Sequence, residues 1–130
     1  MRGKMTKNAG KKNELGALGE EKACEFLQGI GHRILQRNWR GGHLEIDIVS
    51  SDAKGLHFVE VKSRTAPVSA SPEENVTVLK QKRIASAARR YLNMHGAVDA
   101  EVFFDVVSVV FDGFDAEVEF FPQAWLPLYV

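Results

Sequence analysis

Two short tripeptides on either side of a turn carry charged residues whose types and spacing could bind a metal ion. They are Glu45-Ile-Asp47 and Glu60-Val-Lys62. Side chains of a β-strand alternate between its two faces, so the two charged residues of each tripeptide share a face if both segments are strands. A tight turn between the strands would place Asp47 opposite Glu60 and Glu45 opposite Lys62.

The opposition of Asp47 and Glu60 is unfavourable unless something offsets the repulsion of two carboxylates. A shared proton could do so, and so could a divalent cation bound between the carboxylates. Two carboxylates together with a backbone carbonyl and water suit Mg²⁺ or Mn²⁺. Lys62 could then orient or deprotonate a water molecule, or stabilise charge on a phosphate. The alternative interpretation is the ordinary solvated face of an antiparallel sheet, and both stay open at this point.

The elements that must position these residues follow the order α-β-β-β-α-β-β. Apolar residues at helical spacing predict a first helix from Asn13 to about Gly29, and a second from Thr77 to about Gly96. Strands are predicted over residues 33–39, 44–50, 56–63, 102–111 and 116–121, with a mobile loop over 64–76. One face of the second strand is predicted to carry Leu44, Ile46 and Ile48. This pattern predicts an α/β fold, a mixed β-sheet flanked by helices.

Length and composition predict one domain preceded by a short basic arm. The chain has 130 residues, and residues 1–12 carry five positive charges without an apolar pattern, so we expect a flexible arm followed by a single domain over 13–130. Cys24 is the only cysteine, which excludes an intramolecular disulfide and a cysteine-rich zinc site. The sequence shows neither a membrane span nor a signal peptide, so a cytoplasmic location is expected.

The formal net charge of zero conceals an asymmetry along the chain. Residues 1–90 hold 17 basic and 10 acidic residues, a net charge of +7, whereas residues 91–130 hold 7 acidic residues and no lysine or arginine. The neutral total therefore does not exclude a nucleic-acid partner.

The acidic and lysine residues resemble the PD-(D/E)xK nuclease signature. More broadly, the chain resembles the YraN-type family, which is similar to Holliday junction resolvases and shares the restriction-endonuclease-like fold. The resemblance extends from about residue 13 to residue 121. It is carried by Gly19-Glu20, Arg37-Asn38-Trp39-Arg40, Glu45-Ile46-Asp47-Ile48, Phe58-Val59-Glu60-Val61-Lys62-Ser63-Arg64, Pro72-Glu73, Lys80, Arg83-Ile84 and Phe104-Asp105-Val106-Val107.

The resemblance implies a role for each matching residue. Asp47 and Glu60 would bind Mg²⁺ or Mn²⁺, and Lys62 would be the catalytic lysine. Glu20 matches the additional acidic residue that resolvase-like members bring to the site, and Glu45 would be a carboxylate at or beside the metal. The implied activity is phosphodiester hydrolysis in structured or branched DNA by a homodimer.

Four basic residues are predicted to contact the phosphates of a nucleic acid, and solvated surface charges would look the same in the sequence. They are Arg40, Arg64, Lys80 and Arg83. Two other functional classes stay open: a nucleic-acid-binding or adaptor protein that keeps the nuclease fold without turnover, and a protein-interaction module that uses the acidic last third of the chain.

The histidines give no metal-binding pattern in the sequence. They are interpreted as surface or turn residues because their spacing matches no known ligand motif: His32, His43, His57 and His95. Asp105 is unusual within an apolar strand, and we expect an arginine partner or a dimer contact for it.

Overall fold

The computed structural model describes residues 4–68 and 76–126, which form two helices and five strands in the predicted order. The strands make one sheet of order β1-β2-β3-β4-β5, in which β3 and β4 are parallel and the other neighbours are antiparallel. The elements are α1 (Lys4–Gly29), β1 (Arg33–Gly41), β2 (Leu44–Ser51), β3 (Leu56–Thr65), α2 (Val78–Met94), β4 (Val102–Asp112) and β5 (Asp115–Phe121).

The two helices cover opposite faces of the sheet, and each face has its own apolar cluster. The cluster under α2 is built around Phe58 and Tyr91, and includes the buried Trp39, whose ring meets that of Tyr91 edge-on at 5.5 Å. The cluster under α1 contains Leu27 and the buried thiol of Cys24. Since strand residues alternate between faces, neighbours such as Val106 and Val107 fall into different clusters.

The sequence explains where α2 begins and ends. The Thr77 hydroxyl accepts a hydrogen bond from the Lys80 backbone N–H at 3.2 Å, which satisfies one of the free donors of the first turn. Gly96 has a φ of 64° just beyond the helix, as a C-terminal glycine signal predicts. Leu79 departs from the predicted apolar face, because its side chain is exposed.

The first helix begins earlier than the sequence predicts. Its backbone is helical from Lys4, whereas Asn13 is the predicted start and residues 1–12 the predicted flexible arm. Lysine has a good helix propensity, and extending an existing helix adds one hydrogen bond per residue that is ordered. In the predicted loop 64–76, β3 continues to Thr65 and residues 69–75 lie outside the described part of the chain.

The fold class is confirmed. A five-stranded mixed sheet with a helix on each face, in the order α-β-β-β-α-β-β, is the restriction-endonuclease-like architecture. Within residues 4–68 and 76–126, neither helix combines the length and the apolar character that crossing a membrane requires.

Candidate active site

The β2–β3 hairpin opens at Asp47. The predicted register is confirmed between Ile48↔Val59 and Ser51↔Leu56. Beyond that point the Asp47 side chain, through Oδ2, accepts the Val61 backbone N–H at 2.8 Å. A side-chain carboxylate thus satisfies a backbone donor where the strands part.

The opening of the hairpin at Asp47 also contradicts part of the predicted alternation of β2 side chains between the two faces of the sheet. Ile46 packs in the cluster under α2, whereas Ile48 packs in the cluster under α1. The prediction that these isoleucines share a face is therefore wrong. Strict alternation requires a regular strand, and β2 is irregular at Asp47.

The opening brings the carboxyl groups of Asp47 and Glu60 together. Burial of Asp47, its hydrogen bond with Glu60 and the charge of Glu60 raise the pKa of Asp47 to about 9, against the opposing effect of the Val61 N–H. The Glu60 side chain is 9% exposed. At neutral pH Asp47 therefore keeps its proton in the absence of a cation.

Lys80 on α2 is the counter-ion of Glu60. Its Nζ lies against the buried Glu60 Oε2. Burial alone would lower the pKa of Lys80, but the interactions with Glu60 outweigh burial and raise it. Sequence reasoning proposed Lys80 as a phosphate contact and did not anticipate this ion pair.

Three of the predicted catalytic residues line one open cavity of about 330 Å³: Glu20, Asp47 and Lys62, with Lys80 at the same cavity. Lys62 is on β3 and half-buried. The cavity is also lined by Leu15 and Gly16 of α1. The chemistry-bearing groups thus come from α1, β2, β3 and α2.

Glu20 reaches the cavity because α1 lies unusually close to β3. A Cβ on Gly19 would stand 1.7 Å from Ser63 Oγ and 2.8 Å from Ser63 Cβ, so only glycine permits this approach. Glu20 Oε1 accepts a hydrogen bond from Asn38 Nδ2 at 2.9 Å, which orients the carboxylate.

Asn38 is a site residue to which sequence reasoning gave no role. It lies in β1 with a φ of 51°, between Arg37 and Trp39, which pair with Ile48 and Ile46 of β2. Asn38 is therefore alongside Asp47. Asparagine tolerates the left-handed region better than most residues, and such backbone conformations concentrate at functional sites. The Arg37-Asn38-Trp39-Arg40 motif was the available signal.

A second cavity of about 370 Å³ lies on the other side of Lys80, lined by Glu45, Glu60 and Arg83 among others. Glu45 Oε2 pairs with Arg40 Nη2 at 3.3 Å on the surface. Glu45 and Lys62 thus line different cavities.

The four residues that are predicted to contact phosphates do not all lie at the same cavity. Lys80 and Arg83 line the second cavity, and Arg40 lies beside it through Glu45. Arg64 instead donates from Nη2 to Ser108 Oγ on β4 at 3.5 Å.

The closest set of potential ligands lies elsewhere. Among the described residues, His32, Asp52 and His57 alone form a group of three such side chains within 4.8 Å. His32 and His57 are buried, so their interpretation as surface residues is wrong. Asp105 pairs with His57 rather than with an arginine.

The fold and the site define an α/β protein of the restriction-endonuclease-like class. Glu20, Asp47 and Lys62 line one cavity, Glu45 and Glu60 line the next, and Lys80 lines both. The model of the Uncharacterised protein family UPF0102 matches residues 19–109, and the chain belongs to this family. It is the YraN-type family that the sequence resembles.

Curated relatives support this assignment. A UPF0102 protein of Bacteroides thetaiotaomicron is 38% identical over 115 residues, covering 88% of this chain and 94% of its own length. A UPF0102 protein of Geobacter metallireducens is 40% identical over 111 residues, covering 85% of this chain and 91% of its own length. One from Oleidesulfovibrio alaskensis is 46% identical over 94 residues, which is 72% of this chain and 46% of that longer protein.

Proposed function

We propose that the protein is a metal-dependent endonuclease that hydrolyses phosphodiesters in structured or branched DNA. The observation that carries the proposal is the hydrogen-bonded convergence of two carboxyl groups, Asp47 and Glu60. Burial of Asp47, followed by that hydrogen bond and the charge of Glu60, raises the pKa of Asp47 to about 9. Asp47 lines an open cavity together with Lys62 and Glu20, and Glu60 lines the adjoining cavity, with Lys80 at both.

The residues present fit a hard divalent cation. Asp47 and Glu60 would hold Mg²⁺ or Mn²⁺, since a cation relieves the repulsion of two carboxylates that converge in a largely buried place. When bound, such an ion supplies positive charge to the scissile phosphate and makes water a better nucleophile. Glu20 adds a third carboxylate at the edge of the cavity, in an orientation that Asn38 fixes. Glu45 contributes negative charge from the neighbouring cavity.

The two lysines have different roles in this proposal. Lys62 Nζ donates a hydrogen bond to the attacking water or to a non-bridging phosphate oxygen, and so stabilises charge that develops during the reaction. Lys80 neutralises Glu60 while no cation is present. Once a cation is bound, Glu60 has another counter-charge, and the Lys80 ammonium becomes available to the phosphate backbone.

Basic side chains beside the second cavity supply the nucleic-acid contacts. Arg83 lines that cavity and Arg40 lies next to it, both exposed, so a phosphate backbone can reach them without rearrangement. Arg64 would contribute from the end of β3. Paired cuts in a symmetric junction require two active sites, which a homodimer supplies. The proposed location is the cytoplasm, where DNA is accessible.

The test is cleavage of linear, flapped and four-way DNA with Mg²⁺ or Mn²⁺. Glu60→Gln and Lys62→Ala should each reduce the cleavage rate by about 10²-fold or more. Matched controls are Glu117→Gln on β5 and Lys22→Ala on α1, which replace exposed residues outside the cavity and should leave the rate unchanged. Activity that survives both cavity substitutions comes from a contaminant and refutes the assignment.

The second candidate is a nucleic-acid-binding or adaptor protein without turnover. The Lys80–Glu60 ion pair favours it, because an internal ammonium already neutralises one of the two carboxylates. This candidate predicts that junction DNA binds with the same affinity with and without Mg²⁺, and that no substrate is cut. Binding that falls on Arg83→Ala, without cleavage by the wild type, would establish it.

A further inference from the structure

Two histidines and an aspartate meet at the other end of the β2–β3 hairpin. His32 lies just before β1, Asp52 follows β2, and His57 is the second residue of β3. The Asp52 carboxylate contacts both rings: Oδ1 is 2.8 Å from His57 Nε2, and Oδ2 is 3.5 Å from His32 Nε2. The ligand atoms of all three side chains lie within 4.8 Å of one another.

The opposite nitrogen of each ring has a hydrogen-bond partner that fixes the ring. His57 Nδ1 is 2.6 Å from Asp105 Oδ2, and Asp105 Oδ1 accepts the Gln123 N–H at 2.9 Å. His32 Nδ1 is 2.8 Å from Ser50 Oγ. When Nδ1 donates to such a partner, the Nε2 lone pair is free for a metal, and metal-binding histidines are typically held in this way.

The two imidazoles of the cluster differ in charge. Burial and the neighbouring His57 lower the pKa of His32, which favours its neutral form. Burial alone would lower the pKa of His57, but its hydrogen bonds with Asp105 and Asp52 outweigh burial and raise it. A metal ion would therefore replace the proton between His57 Nε2 and Asp52.

The cluster opens onto a cavity of about 490 Å³. Its walls include the apolar side chains of Ile30, Phe103 and Phe120, and the His57 ring stacks on Phe103 with centroids 4.9 Å apart. Three protein ligands leave at least one coordination position, and this cavity gives water or a small ligand access to it.

We propose that His32, Asp52 and His57 bind a divalent transition-metal ion, with Zn²⁺ the preferred ion. Two imidazole nitrogens and one carboxylate oxygen suit zinc, nickel or cobalt better than Mg²⁺ or Ca²⁺, which take oxygen ligands. Zinc–ligand bonds of about 2.0–2.1 Å place the ligand atoms of a tetrahedral site about 3.3–3.4 Å apart. Closing the cluster from its present spread of up to 4.8 Å to that spacing takes side-chain movement of about 1–1.5 Å. Asp105 is a positioning residue that holds His57.

The experiment uses tag-free, chelator-treated full-length protein. Zn²⁺ and Co²⁺ are titrated by calorimetry, and the Co²⁺ protein is examined by visible absorption. We expect one equivalent to bind with the intense d–d bands of a four- or five-coordinate site. His57→Gln should weaken binding by more than 10²-fold, and Asp105→Asn by about 10–100-fold. The matched control His43→Gln, in the exposed β1–β2 turn, should bind as the wild type does.

Two results would overturn the proposed zinc site. Equal affinity of the wild type and His57→Gln would overturn it, as would weak octahedral-type Co²⁺ bands in the wild type. If His57→Gln does not fold, as judged by circular dichroism, Asp52→Asn in the turn replaces it, with the same expected loss. Asp47→Asn should retain Zn²⁺ binding, so failure of this site and failure of the nuclease proposal are distinguishable.

Discussion

The close approach of α1 to β3 at Gly19 allows a quantitative prediction. Gly19→Ala has two opposing effects on the free energy of unfolding. Alanine is the better helix former by about 1 kcal/mol, which favours the variant. Against this, the new Cβ would stand 1.7 Å from Ser63 Oγ and 2.8 Å from Ser63 Cβ. The hydroxyl can change rotamer, but the Ser63 Cβ is fixed to the backbone, so α1 must move away from β3.

Overpacking of this kind typically costs about 1–3 kcal/mol, so the steric effect exceeds the gain in helix propensity. We expect Gly19→Ala to destabilise the protein by up to about 2 kcal/mol in urea denaturation. Gly16→Ala in the same helix is the matched control, because a Cβ there meets no atom within 4 Å. This control should stabilise the protein by about 0.5–1 kcal/mol.

A double-mutant cycle isolates the contact. Ser63→Gly removes both clashing atoms and leaves the Ser63 Cα at 3.8 Å, an ordinary contact. Gly19→Ala should therefore be stabilising in the Ser63→Gly background, with a coupling energy of about 2 kcal/mol. If Gly19→Ala is as stable as Gly16→Ala in the wild-type background, α1 does not lie this close to β3, and the positioning of Glu20 by that contact is refuted.

Three further predictions concern charge, capping and the buried thiol. The folded pKa of Asp47 is about 9 against 3.8 unfolded, so its contribution to stability is complete below about pH 4 and is lost as the pH rises toward 9. In the presence of a chelator, the stability of the wild type should therefore fall with pH by up to about 1.4 kcal/mol per pH unit, and Asp47→Asn should remove this slope. If the stabilities of the wild type and Asp47→Asn instead differ by the same amount at every pH, the pairing of Asp47 with Glu60 is contradicted. Thr77→Ala should cost about 1 kcal/mol in urea denaturation through the lost cap of α2, whereas Thr77→Ser should cost less. Burial raises the pKa of Cys24, so a thiol reagent at pH 8 should label it only after denaturation, and rapid labelling of native protein would contradict its burial.

The sequence predicts features whose causes are local. The tight turn after Asp52 sets the register of β2 and β3, since a turn of fixed length admits one pairing. Thr77 and Gly96 mark the ends of α2 through their own backbone chemistry. The order of helices and strands along the chain follows from the periodicity of apolar and polar residues.

Features that depend on contacts between distant segments escape sequence reasoning. The Lys80–Glu60 pair forms only when α2 packs over β3, and no spacing in the chain encodes it. His32 and His57 meet because separate elements deliver them to the same turn. The irregularity of β2 at Asp47 is invisible to an alternation pattern, since the sequence there alternates perfectly while the strand does not.

The two candidate metal sites differ in the atoms that they offer, and this predicts different metal preferences. Asp47 and Glu60 present only oxygen, which suits Mg²⁺ and Mn²⁺, whereas the His32–Asp52–His57 cluster presents nitrogen, for which zinc has the higher affinity. Millimolar Mg²⁺ should therefore displace Mn²⁺ but leave bound Zn²⁺ in place. Electron paramagnetic resonance measures the displacement of Mn²⁺. Asp47→Asn should abolish Mn²⁺ binding alone, and His57→Gln the Zn²⁺ binding alone. A single substitution that removes both ions would show that the protein has one metal site, because ligands at opposite ends of a hairpin cannot share an ion.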